Sequence, residues 1–189
     1  NPLTSLANDA ERTRQMVRQI SGPVVLAGHS YGGKVITEMG DLPNVKALVY
    51  IAAFAPDAGE SAGGISQAKP PAAFENIAPD SDGYLWIKQD KFRESFCQDL
   101  TEDEALVMAV TQKAPLGSTF GNTVSDPAWR KKPCYYQVST ADRMIHPDNE
   151  RMMAARMNPV KQIELNASHA SLASHPVEVA ALIIDAAKS

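Results

Sequence analysis

Residues 24–33 read Val-Val-Leu-Ala-Gly-His-Ser-Tyr-Gly-Gly, and this run narrows the possible folds more than any other. Val24 to Ala27 is a short apolar stretch between Gly22-Pro23 and Gly28. Without polar alternation, it fits a strand covered on both faces, as in a parallel sheet flanked by helices. Lys34 to Met39 then spaces Val35, Ile36 and Met39 as a helix does, with Gly40 placed to stop it. The turn between them carries Gly28-x-Ser30-x-Gly32. So abrupt a reversal strains the serine backbone, and small residues two before and two after keep the flanking segments from colliding. It lifts the Ser30 hydroxyl clear of the sheet and aims the first helical amides, notably that of Tyr31, at a developing oxyanion. Three fixed residues arise by chance in a chain this long roughly 5% of the time, so the strand before and the helix after carry the inference. The competing reading is a glycine-rich turn that binds a phosphate or nothing.

The 189 residues suffice for one domain with a substantial core. A net charge of −4, without long runs of one sign, argues against a nucleic-acid face or a polybasic membrane patch. No apolar run approaches the roughly 20 residues that cross a bilayer. Cys97 and Cys134 form no CxxC pair, and two free thiols in a reducing, cytoplasmic setting are expected.

Leu3, Leu6, Ala10, Val17 and Ile20 share a helical stripe, with Thr4 or Ser5 as cap. Val45 to Phe54 is a second nearly continuous apolar strand, and the two strands with their helix make a βαβ unit. From Ala55 to Lys132 no strand pattern is visible, while Tyr84 to Phe96 and Thr101 to Lys113 look helical. An insertion this long exceeds a plain crossover and is read as a helical cap. Residues 1–54 and 133–189 thus form an α/β core with a mostly parallel sheet, and residues 55–132 a cap over its strand ends. The sheet resumes at Cys134 to Ser139. A helix opens at Pro147, Val160 to Leu165 is the last strand, and Pro176 starts the last helix.

Reactive groups of such a sheet gather at the carboxyl ends of its strands. Ser30, Asp142 and His169 stand there in three loops, in the order Ser, Asp, His. A serine hydroxyl needs an imidazole to take its proton, and the imidazole needs a carboxylate to fix its tautomer and stabilise its cation. Among the rivals, His29 adjoins Ser30 and should point away from the hydroxyl, as a structural residue. His146 and His175 fall at helix starts. Asp57, after the second strand, is the competing acid. No His, Cys, Asp and Glu spacing suggests a zinc site.

Gly28-His29-Ser30-Tyr31-Gly32-Gly33, Ala53-Phe54-Ala55-Pro56-Asp57, Thr140-Ala141-Asp142-Arg143 and Ser168-His169-Ala170 together resemble the α/β-hydrolase superfamily. The likeness is to small esterase-like members grouped with plant methyl esterases and hydroxynitrile lyases, and it covers the whole chain. It implies Ser30 as nucleophile, His169 as base, Asp142 as acid, a cap lining an apolar pocket, and no cofactor. Two departures stand out. The family begins with further strands and a His-Gly loop that supplies a second oxyanion amide. Neither precedes Asn1, so a fragment, or a sheet completed by another segment or second chain, is expected. The lyases carry a lysine after the catalytic histidine, where this chain has Ala170, which favours ester hydrolysis.

The expectation is a serine hydrolase cleaving a small carboxylic ester through an acyl-enzyme on Ser30, with the Tyr31 amide holding the oxyanion. Phe54, Tyr84, Trp86 and Phe120, with Phe74, Leu85 and Phe92 also in view, would supply apolar substrate contacts. The alternatives are lyase or C–C bond chemistry on the same triad, or a hydrolase-fold binder without turnover.

Overall fold

A computed structural model describes residues 2–188. Ser5 caps helix α1 (Leu6–Arg18) by accepting the Asn8 N–H, and Leu6, Ala10 and Val17 form its buried stripe. Ile20 lies beyond the helix end and is half exposed. Strand β1 (Val24–Ser30) runs straight into α2 (Tyr31–Met39), and β2 (Val45–Ala53) follows, buried almost throughout.

Residues 55–132 hold more than helices. After α3 (Ala62–Ala68) come β3 (Ile77–Pro79) and β4 (Leu85–Ile87), an antiparallel pair. The expected helix over Tyr84 to Phe96 is therefore only α4 (Phe92–Phe96). Asp80 explains the difference: its carboxylate accepts the Asp82 and Tyr84 N–H groups and the Trp86 Nε1–H. With Gly83 at φ 84°, this closes a tight turn that sends the chain back as a strand. α5 (Glu102–Thr111) has the reciprocal Thr101–Glu104 capping box that its sequence promises. α6 (Ser118–Gly121) completes the insertion.

β5 (Cys134–Ser139) is buried at every residue, and α7 (Pro147–Met157) opens on proline as expected. β6 (Lys161–Leu165), the short α8 (Ser171–Ser174) and α9 (Pro176–Lys188) end the described chain. The main sheet has the order β1-β2-β5-β6, and every neighbouring pair is parallel. Leu6, Val35, Met39, Tyr50, Tyr136 and Met153 pack α1, α2 and α7 on one face. Val49, Tyr135, Val179 and Leu182 pack α9 on the other. The α/β sandwich read from the sequence is the observed fold. Its strand ends point to the loops holding Ser30, Asp142 and His169. Among the described residues no helix is long and apolar enough to cross a membrane. Nor do any three His, Cys, Asp or Glu side chains among them group so as to hold a metal ion.

Candidate active site

Ser30 joins β1 to α2 with φ 53° and ψ −124°, a conformation that costs on the order of 1–3 kcal/mol in a non-glycine residue. The surrounding packing fixes it. A Cβ on Gly28 would lie 2.6 Å from the Gly32 carbonyl oxygen, so strand and helix can approach only with glycine there. A Cβ on Gly33 would lie 2.5 Å from the Phe54 oxygen and 2.7 Å from the Ala53 Cβ. Gly32, two after the serine, meets nothing within 4 Å. The steric demand expected at Gly32 falls on Gly33 instead, because the helix packs against the end of β2 one residue further on. The Phe54 N–H donates to the Ser30 carbonyl at 3.1 Å, tying the elbow to β2. Tyr31 is the first residue of α2, so its N–H has no acceptor within the helix. Its phenol donates to the fully buried Asp9 carboxylate at 2.9 Å, and the same carboxylate accepts the Leu3 N–H at 2.8 Å.

Asp142 and His169 meet. His169 Nδ1 and Asp142 Oδ2 are 2.5 Å apart, and both side chains are essentially without solvent contact. The other Asp142 oxygen accepts the Met144 and Ile145 N–H groups at 2.6 and 2.9 Å, which orients the carboxylate. Ala141 N–H donates to the Ala167 carbonyl, joining the two loops through their backbones. His169 Nε2, the far end of the ring, is buried and has no protein hydrogen-bond partner. A ring whose Nδ1–H is held by a carboxylate presents a bare Nε2 able to accept a proton.

Two rings pack on His169 that no sequence signal places there. Phe96 stands edge-on to it, with centroids 4.9 Å apart. His29 lies 4.6 Å from it, and its Nε2 is 2.7 Å from the His169 carbonyl oxygen. Since a carbonyl only accepts, His29 carries the proton on Nε2. Burial, aided by the neighbouring His169, lowers its pKa to about 3, so it stays neutral. His29 is thus a structural residue that joins the elbow to the His169 loop.

The segment around α4 grips both loops. Gln98 Nε2 donates to the Ala141 carbonyl at 2.6 Å, and Asp99 accepts the Ser168 N–H at 2.8 Å. Arg143 donates to the Glu94 carbonyl at 2.9 Å. Ala170, next to His169, is buried with Phe92, Cys97 and Leu100.

The expected substrate contacts divide. Phe54 is core, 3% exposed, because it follows β2 directly and fills the space beside α2. Phe120 is partly buried and touches both the Phe54 and Tyr31 rings. Tyr84 and Trp86 belong to the hairpin, where the exposed Trp86 is held by Asp80. Asp57 pairs with Arg130 and binds the Ala58 N–H of its own loop. His146 caps α7 by accepting the Asp148 N–H, and His175 bonds Ser174.

A strained serine between strand and helix, and a buried His–Asp pair in the loops after two further strands of the same parallel sheet, place the protein in a class. Residues 1–182 match the alpha/beta hydrolase family, and the chain is an enzyme of that family. It is similar to the probable hydrolase R7 of Phoma sp. (strain ATCC 20986 / MF5453), at 26% identity over 199 residues. That match spans 98% of this chain and 80% of that protein. Its fold is that of a pyrethroid hydrolase from Sphingobium faniae JZ-2, with a TM-score of 0.80 at 21% identity, covering 98% of this chain and 79% of the other. Polyneuridine aldehyde esterase gives a TM-score of 0.80 at 14% identity, covering 98% and 80%. At such identities the structural likeness speaks for the fold.

Proposed function

We propose that the protein is a serine hydrolase that cleaves a small carboxylic ester through an acyl-enzyme on Ser30. The observation that carries this reading is the buried 2.5 Å contact between His169 Nδ1 and Asp142, which leaves Nε2 bare. Ser30 Oγ attacks the ester carbonyl as His169 Nε2 takes its proton. Asp142 stabilises the imidazolium, and the Tyr31 N–H, at the start of α2, donates to the oxyanion. The alkoxide leaves with the proton from His169. Water, activated by the same imidazole, then releases the acid. The esterases among the similar proteins support an ester as substrate. Ala170 supports hydrolysis over lyase chemistry, because its place in an apolar cluster leaves a lysine there no water for its charge.

Residues 55–132 act as a cap, supported by their bonds to the Asp142 and His169 loops. Among the described residues β1 is the outermost strand of the main sheet. A further strand, from another segment or a second chain, would pair along its open edge and could bring the second oxyanion amide. The buried thiols of Cys97 and Cys134 support a reducing, cytoplasmic setting.

Intact-mass spectrometry after treatment with a fluorophosphonate tests the reading together with ester turnover. A single adduct on Ser30, absent in Ser30→Ala, and a loss of at least about 10³-fold in kcat in that variant are expected. Full turnover by Ser30→Ala would refute it.

A further inference from the structure

Behind the Asp142–His169 pair lies a carboxyl group that the proposed chemistry does not use. Glu150 is on α7, with no solvent exposure. Its Oε2 accepts the Ser139 N–H at 3.0 Å, while Oε1 is buried and receives no hydrogen bond from a donor. What faces it is the carboxyl of Asp142. Two carboxyl oxygens can be hydrogen-bond partners only if one carries a proton.

We propose that Glu150 is a positioning residue for the Asp142–His169 pair, held as the neutral acid and donating a hydrogen bond to the Asp142 carboxylate. This rests on the functional reading of Ser30, Asp142 and His169 given above. The groups facing Glu150 leave little alternative. From β5 comes the buried phenol of Tyr136, and from the following loop Asp142, whose other partner is the neutral ring of His169. From its own helix comes Arg151, but that guanidinium turns outward to Asp148 and Glu164. The buried polar chain that reaches Ser139 is neutral: Ser171 donates to Gln137 at 2.7 Å, and Gln137 donates to Ser139 at 3.0 Å. A second buried carboxylate would therefore face the first with no buried cation to share. Burial, then the Asp142 charge, hold Glu150 well above the usual carboxylate range.

The neutral acid and the carboxylate make opposite predictions for Glu150→Gln. A neutral Glu150 is matched by the glutamine amide, which also donates. The acid limb of the kcat/KM–pH profile for p-nitrophenyl acetate then stays where it is. In Glu150→Met the donor is gone, Asp142 binds the imidazolium more tightly, and the limb moves up by about half to one pH unit, the weight of one hydrogen bond. An ionised Glu150 would instead make Glu150→Gln move the limb down, because a negative charge is removed, and that result overturns the proposal.

The second readout needs no turnover. The unfolded chain releases the Glu150 proton near 4.5, whereas the fold retains it, so the fold loses stability as pH rises above 4.5. Glu150→Gln lacks this loss. Its thermal midpoint should gain on that of the unaltered protein steadily from pH 4.5 to 7. A constant difference overturns the neutral-acid assignment. If Glu150→Met fails to fold, Glu150→Gln decides by both readouts. If the unaltered protein cleaves no ester, the functional reading falls, and the midpoint series still decides the Glu150–Asp142 bond.

Discussion

Lys34 lies on α2 four residues after Ser30 and has no solvent exposure, so its amine has left water with little in return. Nζ donates to the Thr119 carbonyl of α6 at 2.7 Å and lies 5.7 Å from the Tyr31 ring centre. Glu38 is the acid that partly offsets the burial, which lowers the lysine from 10.5 to about 8. Each unit is worth 1.36 kcal/mol, so holding the charge at neutral pH costs the fold about 3 kcal/mol. The sign follows from proton counting. Between pH 8 and 10.5 the unfolded chain binds a proton that the folded chain has released, so stability rises with pH in that window. Lys34→Met removes the group and with it this rise. Urea unfolding of both proteins from pH 7 to 10.5, followed by tryptophan fluorescence, gives the two stabilities. The advantage of Lys34→Met should be about 3 kcal/mol larger at pH 7 than at pH 10.5. The hydrogen bond lost to Thr119 shifts both ends alike, and tyrosine and cysteine titrations cancel in the difference. A gap that stays constant across this window would refute the reasoning.

The glycines of the elbow make a sharper steric prediction. Gly33→Ala pushes a methyl into the Phe54 carbonyl and the Ala53 side chain, and should cost at least about 3 kcal/mol or prevent folding. Gly32→Ala meets open space on a helix, and its thermal midpoint should hold or rise. Burial raises the Cys97 and Cys134 thiols to about 11 and 12. Neither should react with iodoacetamide at pH 8 until denaturant is added, and prompt alkylation of the folded protein would contradict the packing.

Much of this architecture was legible because local rules and global fold agree. Cys134 to Ser139 is buried at every residue, as a strand covered on both faces should be, whereas Val24 to Ala27 departs from that expectation: β1 ends the sheet among the described residues, so only Leu26 of the four is buried and Ala27 is exposed. Pro147 and Thr101 mark helix starts through their own backbone chemistry. The hairpin was missed because its strands have three residues each, too few to show a period of two. Its signal was the Asp80-Ser81-Asp82-Gly83 turn, which side-chain periodicity overlooks. The roles of Phe96, Asp99 and Glu150 could not be read at all. Asp99 bonds a residue 69 positions away, and a carboxylate in a loop carries no mark of such a partner. For Ser30, Asp142 and His169 the order and the strand ends indicate neighbouring loops, while the 2.5 Å contact between His169 and Asp142 depends on how the two loops fold together.

The grip of Gln98, Asp99 and Phe96 on the Asp142 and His169 loops bears on how such a protein can diversify. The insertion is not a cassette to be exchanged whole. Its inner edge, Phe92 to Leu100, belongs mechanically to the core, and replacing it would unseat two loops at once. The hairpin over residues 77–87 is held instead by Gln112, Pro115 and Gly117 of the insertion, with its Trp86 exposed and bonded to Asp80. Drift and engineering alike have more freedom at that exposed surface than along the inner edge, which libraries should leave intact.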